Sequence, residues 1–255
     1  MPTAQLPQSV DILYQDPHFI AVNKPAGLLV HRSKIDRHET RFALQTVRDQ
    51  VGRRVYPVHR LDKPTSGALV LAFTPEAARL LTDAFARRDV TKTYLAVVRG
   101  YVEAHGVIDY PLKVSFDKTT DALARRDKPA QPAVTAYRRL AQVEVPVAVG
   151  RYPTSRYSLV EARPETGRTH QIRRHLKHIF HPVIGDGKHG EGRHNRFFRT
   201  QYGSARLLLA ATELSFIHPY SQAAITVVAP LDDAFTAVLD QLGWRGAVPA
   251  AWLKP

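Results

Sequence analysis

The chain has 255 residues, 44% of them hydrophobic, enough for one large globular domain or two subdomains sharing a core, and its 36 Lys and Arg against 23 Asp and Glu leave a formal charge of +13. That excess points to a polyanionic partner, nucleic acid first, while no apolar run approaches the length of a membrane span and no basic helix carries the apolar face of a membrane-surface segment. With no Cys, disulfides, thiolate nucleophiles, iron–sulfur clusters and cysteine zinc sites are excluded, the opening MPTAQLPQS lacks the pattern of a secretory signal, and a reducing cytoplasm is the expected compartment.

In chain order, residues 12–14 and 19–23 read as short strands around a QDPH turn, and the turn Lys24-Pro25-Ala26-Gly27 leads into a third at 28–30. Thr40 is placed to cap a helix over 41–50. Residues 64–67, PTSG, read as a tight turn feeding a strand at 68–73, because Pro sets φ and Gly supplies a positive one. Thr74 then caps a helix with Pro75 at its first position and apolar Ala78, Leu81 and Phe85 at helical spacing. A strand follows at 94–98. Between Leu112 and Ala133 the pattern dissolves into a polar segment, read as a long loop or insertion. Residues 136–147 and 156–162 read as a hairpin, 169–179 as a basic helix, and 185–202 as a Gly-, His- and Arg-rich loop of the kind that suits RNA. Strands at 206–209, 214–217 and 223–228 precede a last helix at 233–242. Hairpins outnumber crossovers, so the fold class is α+β with a mainly antiparallel mixed sheet and flanking helices. The expected division is a tail at 1–10, one domain at 11–245 and a tail at 246–255.

Two segments carry chemistry. VHRLDKPTSG, residues 58–67, presents a single carboxylate, Asp62, between the His59-Arg60 pair and a turn, with Arg60 and Lys63 close enough in sequence to hold it charged. A plain turn residue fits the same pattern. If Asp62 works on RNA, one acid among cations suits neither a two-carboxylate glycosidase nor a two-metal nuclease, although Glu161 or Glu165 could supply a second acid in space. A lone Asp can instead serve as nucleophile or base in a rearrangement without net hydrolysis. ETGRTHQIRRHLKH, residues 165–178, puts cations along a helix; an Arg from it could orient a carboxylate through its planar fork and others could grip phosphates, and a solvated basic face is the plainer reading. His170, His175, His178 and His181 are spaced 5, 3 and 3 apart and match no zinc signature, so no metal is expected. Tyr94 on its strand reads equally as core.

Taken together, HRLDKPTSG, TGRTHQIRRH about a hundred residues later and HPVIGD at 181–186 closely resemble the RluA-type pseudouridine synthases, and the resemblance extends over nearly the whole chain. It implies the family's catalytic fold with a central RNA-binding cleft, isomerisation of selected uridines in RNA, and no cofactor or metal. It makes Asp62 the catalytic aspartate, Tyr94 of KTYLAVV the tyrosine that contacts the base, and Arg173 of HQIR the arginine paired with the aspartate. Arg60 matches the residue that fills the space of the flipped uridine, flipping being required because a stacked base is shielded. His59, Arg168 and His170 are implied on the RNA-facing side, and Leu208 of RLLLAA in an apolar wall. Ala210 departs from the pattern, since many members carry His there.

The stretches YQDPHFIAVNKPAGLLVHRS, QTVRDQVG, DKPAQPAVTAYR, VGRYPTSRY and GDGKHGEGRHNR resemble members that modify uridine 65 in the T stem of tRNA, so a tRNA partner is implied. The early start of the catalytic motifs leads us to expect no N-terminal RNA-binding module. A monomer is expected. Ribosomal RNA as substrate stays open, as do a non-catalytic RNA-binding protein and a hydrolytic nucleosidase; the intact Asp62, Tyr94 and Arg173 speak against the non-catalytic reading.

Overall fold

A computed structural model describes residues 8–31, 39–113 and 129–254. Most of the polar segment predicted between Leu112 and Ala133, and most of the predicted N-terminal tail, lie outside the described residues. The chain is α+β and forms two compact units: the described residues through Thr91 with Glu213–Ala229, and those from Lys92 to Thr212 with those from Pro230 onward.

The first unit contains β1 (Asp11–Gln15), β2 (Phe19–Lys24), α1 (Ala43–Val51), β3 (Tyr56–Pro57), β4 (Ser66–Ala72) and α2 (Pro75–Arg87). Strand β9 (Leu209–Ile217) contributes residues to both units, and β10 (Ala224–Val228) pairs with it antiparallel, Val228 opposite Glu213. The order here is β1-β2-β4-β9, with β3 on β4. Every residue of β4 is buried, so it reads as a continuous small-and-apolar run, SGALVLA, rather than an alternating one. Its Val70 joins Phe19, Ala21, Leu81, Leu214 and Phe216 in the core. Thr74 caps α2 as predicted, its hydroxyl accepting the Ala77 N–H at 3.1 Å.

Two expectations fail near α1, for one reason. Residues 28–30 do not form a strand, Leu29 making only an isolated parallel bridge to Phe42, and Thr40 does not cap the helix. The N–H groups of Ala43 and Leu44 instead donate to the carbonyls of Leu29 and Val30 at 2.7 and 3.1 Å. Those backbone acceptors satisfy the first turn and make a side-chain cap unnecessary.

The second unit contains β5 (Thr91–Arg99) from Lys92 onward, β6 (His105–Asp109), β7 (Val134–Val145), β8 (Ser155–Pro164), α3 (Gln171–His178), α4 (Gly192–Gln201) and α5 (Asp233–Gln241), in sheet order β9-β5-β8-β7-β6. The β7–β8 hairpin is antiparallel as predicted, Tyr137 opposite Ala162. Its core gathers Ala96, Val98, Val160, Ile172, Leu176 and Val183. Beyond α5 a 3-10 turn at Ala250–Trp252 buries Trp252.

The loop predicted at 185–202 is half helix. In α4, Phe198 is fully buried and the Tyr157 hydroxyl bonds His194 Nδ1 at 2.8 Å, so aromatics at helical spacing pack onto β8 beneath a Gly- and Arg-rich composition that hides them. The strand predicted at 214–217 is the second half of β9, which begins only at Leu209, so 206–208 of the other predicted strand lie outside it and Arg206 folds its guanidinium back onto the carbonyls of Leu207 and Leu209. Helix α3 starts two residues later than predicted because His170 has a left-handed backbone, φ 54°.

Candidate active site

In the first unit Asp62 is half-buried at the head of a turn, its carbonyl accepting the Thr65 N–H at 3.0 Å. This turn is tied to the Lys24–Gly27 turn. The Gly27 N–H donates to the Lys63 carbonyl at 2.8 Å, where φ is 88° at Gly27 and a side chain would be strained. Lys24 ends β2 with no exposed surface, and its ammonium donates to the carbonyls of Leu28, Pro25 and Lys63 at 2.8, 3.0 and 3.2 Å. A buried cation on three carbonyls is tolerated because each N–H has a partner, and it fastens the backbone one residue after Asp62. The Lys63 side chain runs the other way, to Glu39 at 2.7 Å.

His59 helps to hold this segment. Its Nε2 accepts the Val70 N–H of β4 at 3.0 Å, which puts the ring proton of the neutral form on Nδ1, and the ring stacks on Phe85 at 4.7 Å. Arg60 is exposed between His59 and the buried Leu61. An anchored loop therefore presents one exposed guanidinium and one carboxylate.

In the second unit the RTHQIR segment is fixed by Gln171, whose amide bonds the Val134 carbonyl and the Thr135 hydroxyl while its oxygen accepts the Arg168 N–H and the Thr166 hydroxyl. Arg168 Nε donates to the Pro132 carbonyl at 3.1 Å. Arg173 is buried and donates through Nε and Nη2 to the two oxygens of Asp186, at 2.7 and 2.8 Å. Asp186 Oδ1 also accepts the Lys188 and His189 N–H groups at 2.9 Å. Burial pushes the Asp186 carboxyl upward, but the Arg173 fork and these backbone donors outweigh it and hold it below the usual carboxylate range. His189 shares a 2.8 Å hydrogen bond with His170, and desolvation above all keeps its imidazole neutral, with a pKa of about 4. The left-handed backbone of His170 is thus held from its side chain.

Tyr94 is partly buried on β5 against the core of this unit. Leu208 has no exposed surface, and its backbone bridges Val97 and Ile184. Ala210 is buried as well. Glu161, weighed as a second acid, is buried under Arg138 and Arg163 at 2.9 and 3.0 Å, while Glu165 is exposed. The four clustered histidines go separate ways: His170 to His189, His175 to Thr135 and the Tyr110 carbonyl, His178 onto the Tyr110 ring, His181 to the Arg99 carbonyl. Among the described residues no three His, Asp or Glu converge to hold a metal, and no helix is long and apolar enough to cross a membrane.

Sequence reasoning missed Lys24, Asp186 and His189 as supports. A lysine closing the apolar run FIAVNK just before a Pro-Ala-Gly turn is the signal for the first, since an ammonium there must be exposed or fully bonded. Asp186 carries no such signal: the demand for glycine just before it, where φ is 78° and an added Cβ would collide with the Arg206 carbonyl, exists only in the fold.

Residues 18–178 match the family model described as RNA pseudouridylate synthase. The chain is 51% identical over 238 residues, 93% of its length and 97% of the relative's, to the tRNA pseudouridine synthase C of Vibrio parahaemolyticus, and 52% identical over 236 residues to that of Vibrio cholerae. Among solved structures it is similar to human RNA pseudouridylate synthase domain-containing protein 1, with a TM-score of 0.67 at 27% identity over 91% of this chain and 86% of that one.

Proposed function

The chain belongs to the RNA pseudouridylate synthase family, and we propose that it isomerises uridine to pseudouridine in tRNA, at position 65 of the T stem, in the cytoplasm. The observation that carries the tRNA reading is the identity of about half the residues, across nearly the full length of both chains, to proteins named tRNA pseudouridine synthase C.

The proposed chemistry needs no cofactor. The bond from C1′ to N1 of the uridine breaks, the uracil turns, and a bond from C1′ to C5 forms. The C5 proton leaves to solvent and N1 gains one, so electrons balance and the mass is unchanged. Asp62 is assigned the catalytic carboxylate, which forms a transient covalent bond or stabilises the separated pair. Tyr94 is assigned the contact with the base and Arg173 the guanidinium that keeps the reacting carboxylate charged and oriented. Arg60 takes the place of the flipped uridine, which must leave its stack to react. His59, Arg168 and His170 hold the RNA-facing segments, and Leu208 stiffens the apolar wall.

The test is tritium release from a tRNA transcript labelled at uridine C5, with carbodiimide mapping of the product. Release mapped to position 65 supports the full reading. Release mapped elsewhere, or from ribosomal RNA alone, keeps the chemistry and discards the substrate; free uracil with an abasic product discards the chemistry.

A further inference from the structure

Phe180 sits just beyond α3 and combines two unfavourable features. Its backbone is left-handed, φ 64°, a conformation that favours glycine, and its side chain is 84% exposed, the highest value among the exposed large hydrophobics of the described residues. Among the described residues neither burial nor a ring contact with another aromatic accompanies it. A glycine would relieve the backbone and remove the exposed ring at once, so the ring is not there for the fold.

Its surroundings state what would meet it. From Arg168 to Ile184 the chain carries four Arg and Lys and four His and no acid. Lys177 and His178 are exposed, and His178 is stacked on the half-exposed Tyr110 at 3.6 Å between ring centroids. The Arg174 guanidinium donates to the Lys113 carbonyl at 2.9 Å and reaches back toward the Thr169 carbonyl at the start of the helix, so Lys177 is the cation of α3 nearest Phe180 in the chain. A solvent-facing aromatic ring among cations is what a single-stranded or loop nucleotide requires: charge for the phosphate and a flat apolar face for the base. Helix α3 ends at His178, roughly 7.5 Å of helical rise beyond Arg173, and Phe180 follows two residues later.

We propose that Phe180 is an RNA contact outside the reaction chemistry, stacking on an unpaired base of the substrate while Lys177 takes an adjoining phosphate. This rests on the reading of the protein as an RNA-modifying enzyme.

The experiment compares wild type, Phe180→Gly and Phe180→Tyr for binding and turnover of one tRNA transcript, together with thermal unfolding and light scattering. Glycine suits the backbone, so Phe180→Gly should unfold at the same or a higher temperature. Its Kd and KM should rise about 5- to 10-fold, the range expected for one base–aromatic stack at the weak end, with kcat within about twofold. Phe180→Tyr should stay near wild type. Unchanged RNA affinity in Phe180→Gly overturns the proposal, as does a wild type that binds no RNA, or one that self-associates through Phe180 with no effect on RNA. Should the wild type bind tRNA without releasing tritium, the catalytic reading falls, and the binding comparison still decides Phe180.

Discussion

Arg173 and Asp186 meet in a buried two-point fork, Nε to Oδ2 at 2.7 Å and Nη2 to Oδ1 at 2.8 Å, so the plane of the guanidinium is set by a carboxylate thirteen residues away in sequence. A lysine could keep the charge there but not the plane. The fork helps a charged side chain of α3 to be tolerated in the interior, and it makes Asp186 a residue that orients Arg173.

Asp186→Asn should therefore be costly twice over. It removes the charge at the two-point fork that holds the buried Arg173, and breaking such a pair costs about 3–5 kcal/mol, to be read from urea unfolding. Activity at a temperature where the variant is still folded should fall through kcat more than through KM, since RNA affinity comes mainly from phosphate contacts.

Asp62→Asn tests the reaction itself. Tritium release should fall on the order of 10³-fold or more, the scale of a missing catalytic carboxylate, while tRNA affinity stays within a few fold. Turnover near wild type would remove Asp62 from the mechanism.

Lys24→Met should destabilise the protein by about 2 kcal/mol or more, because a buried carbonyl stripped of its donor costs about 1–3 kcal/mol. The Lys63 carbonyl keeps the Gly27 N–H, so the turn survives with one tie fewer. The expected signature is a lower urea midpoint with a reduced kcat, and substrate binding less affected than either.

Acid should weaken the second unit through its neutral histidines. His189, His175 and His194 all have lowered pKa values, with desolvation as the main cause, so the unfolded chain binds more protons than the folded one. The stabilisation is present above the unfolded value near 6.5 and is lost as pH falls; for His189 the loss is complete only below about 4. His189→Gln should flatten the stability curve between those limits. Asp186 adds to the decline below the ordinary Asp range, where its own lowered pKa comes into play.

Gly185→Ala should fail to fold stably or lose several kcal/mol, about the scale of a strained backbone plus an overpacked contact. Its φ is 78° and the new Cβ would meet the Arg206 carbonyl. Gly187→Ala, with open space around its Cβ, is the control and should remain near wild type by thermal unfolding.

Much of this protein was legible in one dimension. The strands at Phe19–Lys24 and Ser66–Ala72, the Thr74 cap and the β7–β8 hairpin follow from local rules of turn chemistry, capping and apolar patterning, which act between residues a few positions apart. The two motifs around Asp62 and Arg173 identified the family for the same reason: each is a short, contiguous set of side chains whose chemistry can be read without knowing the fold. What only the tertiary structure decided involves partners far apart in sequence. Helix α4 was hidden because its apolar face is written against Tyr157, and the start of α1 because its first N–H groups find acceptors at Leu29 and Val30. Lys24, Asp186 and His189 look like surface residues in the sequence; burial is what forces each of them to find partners, and burial is a property of the folded chain alone.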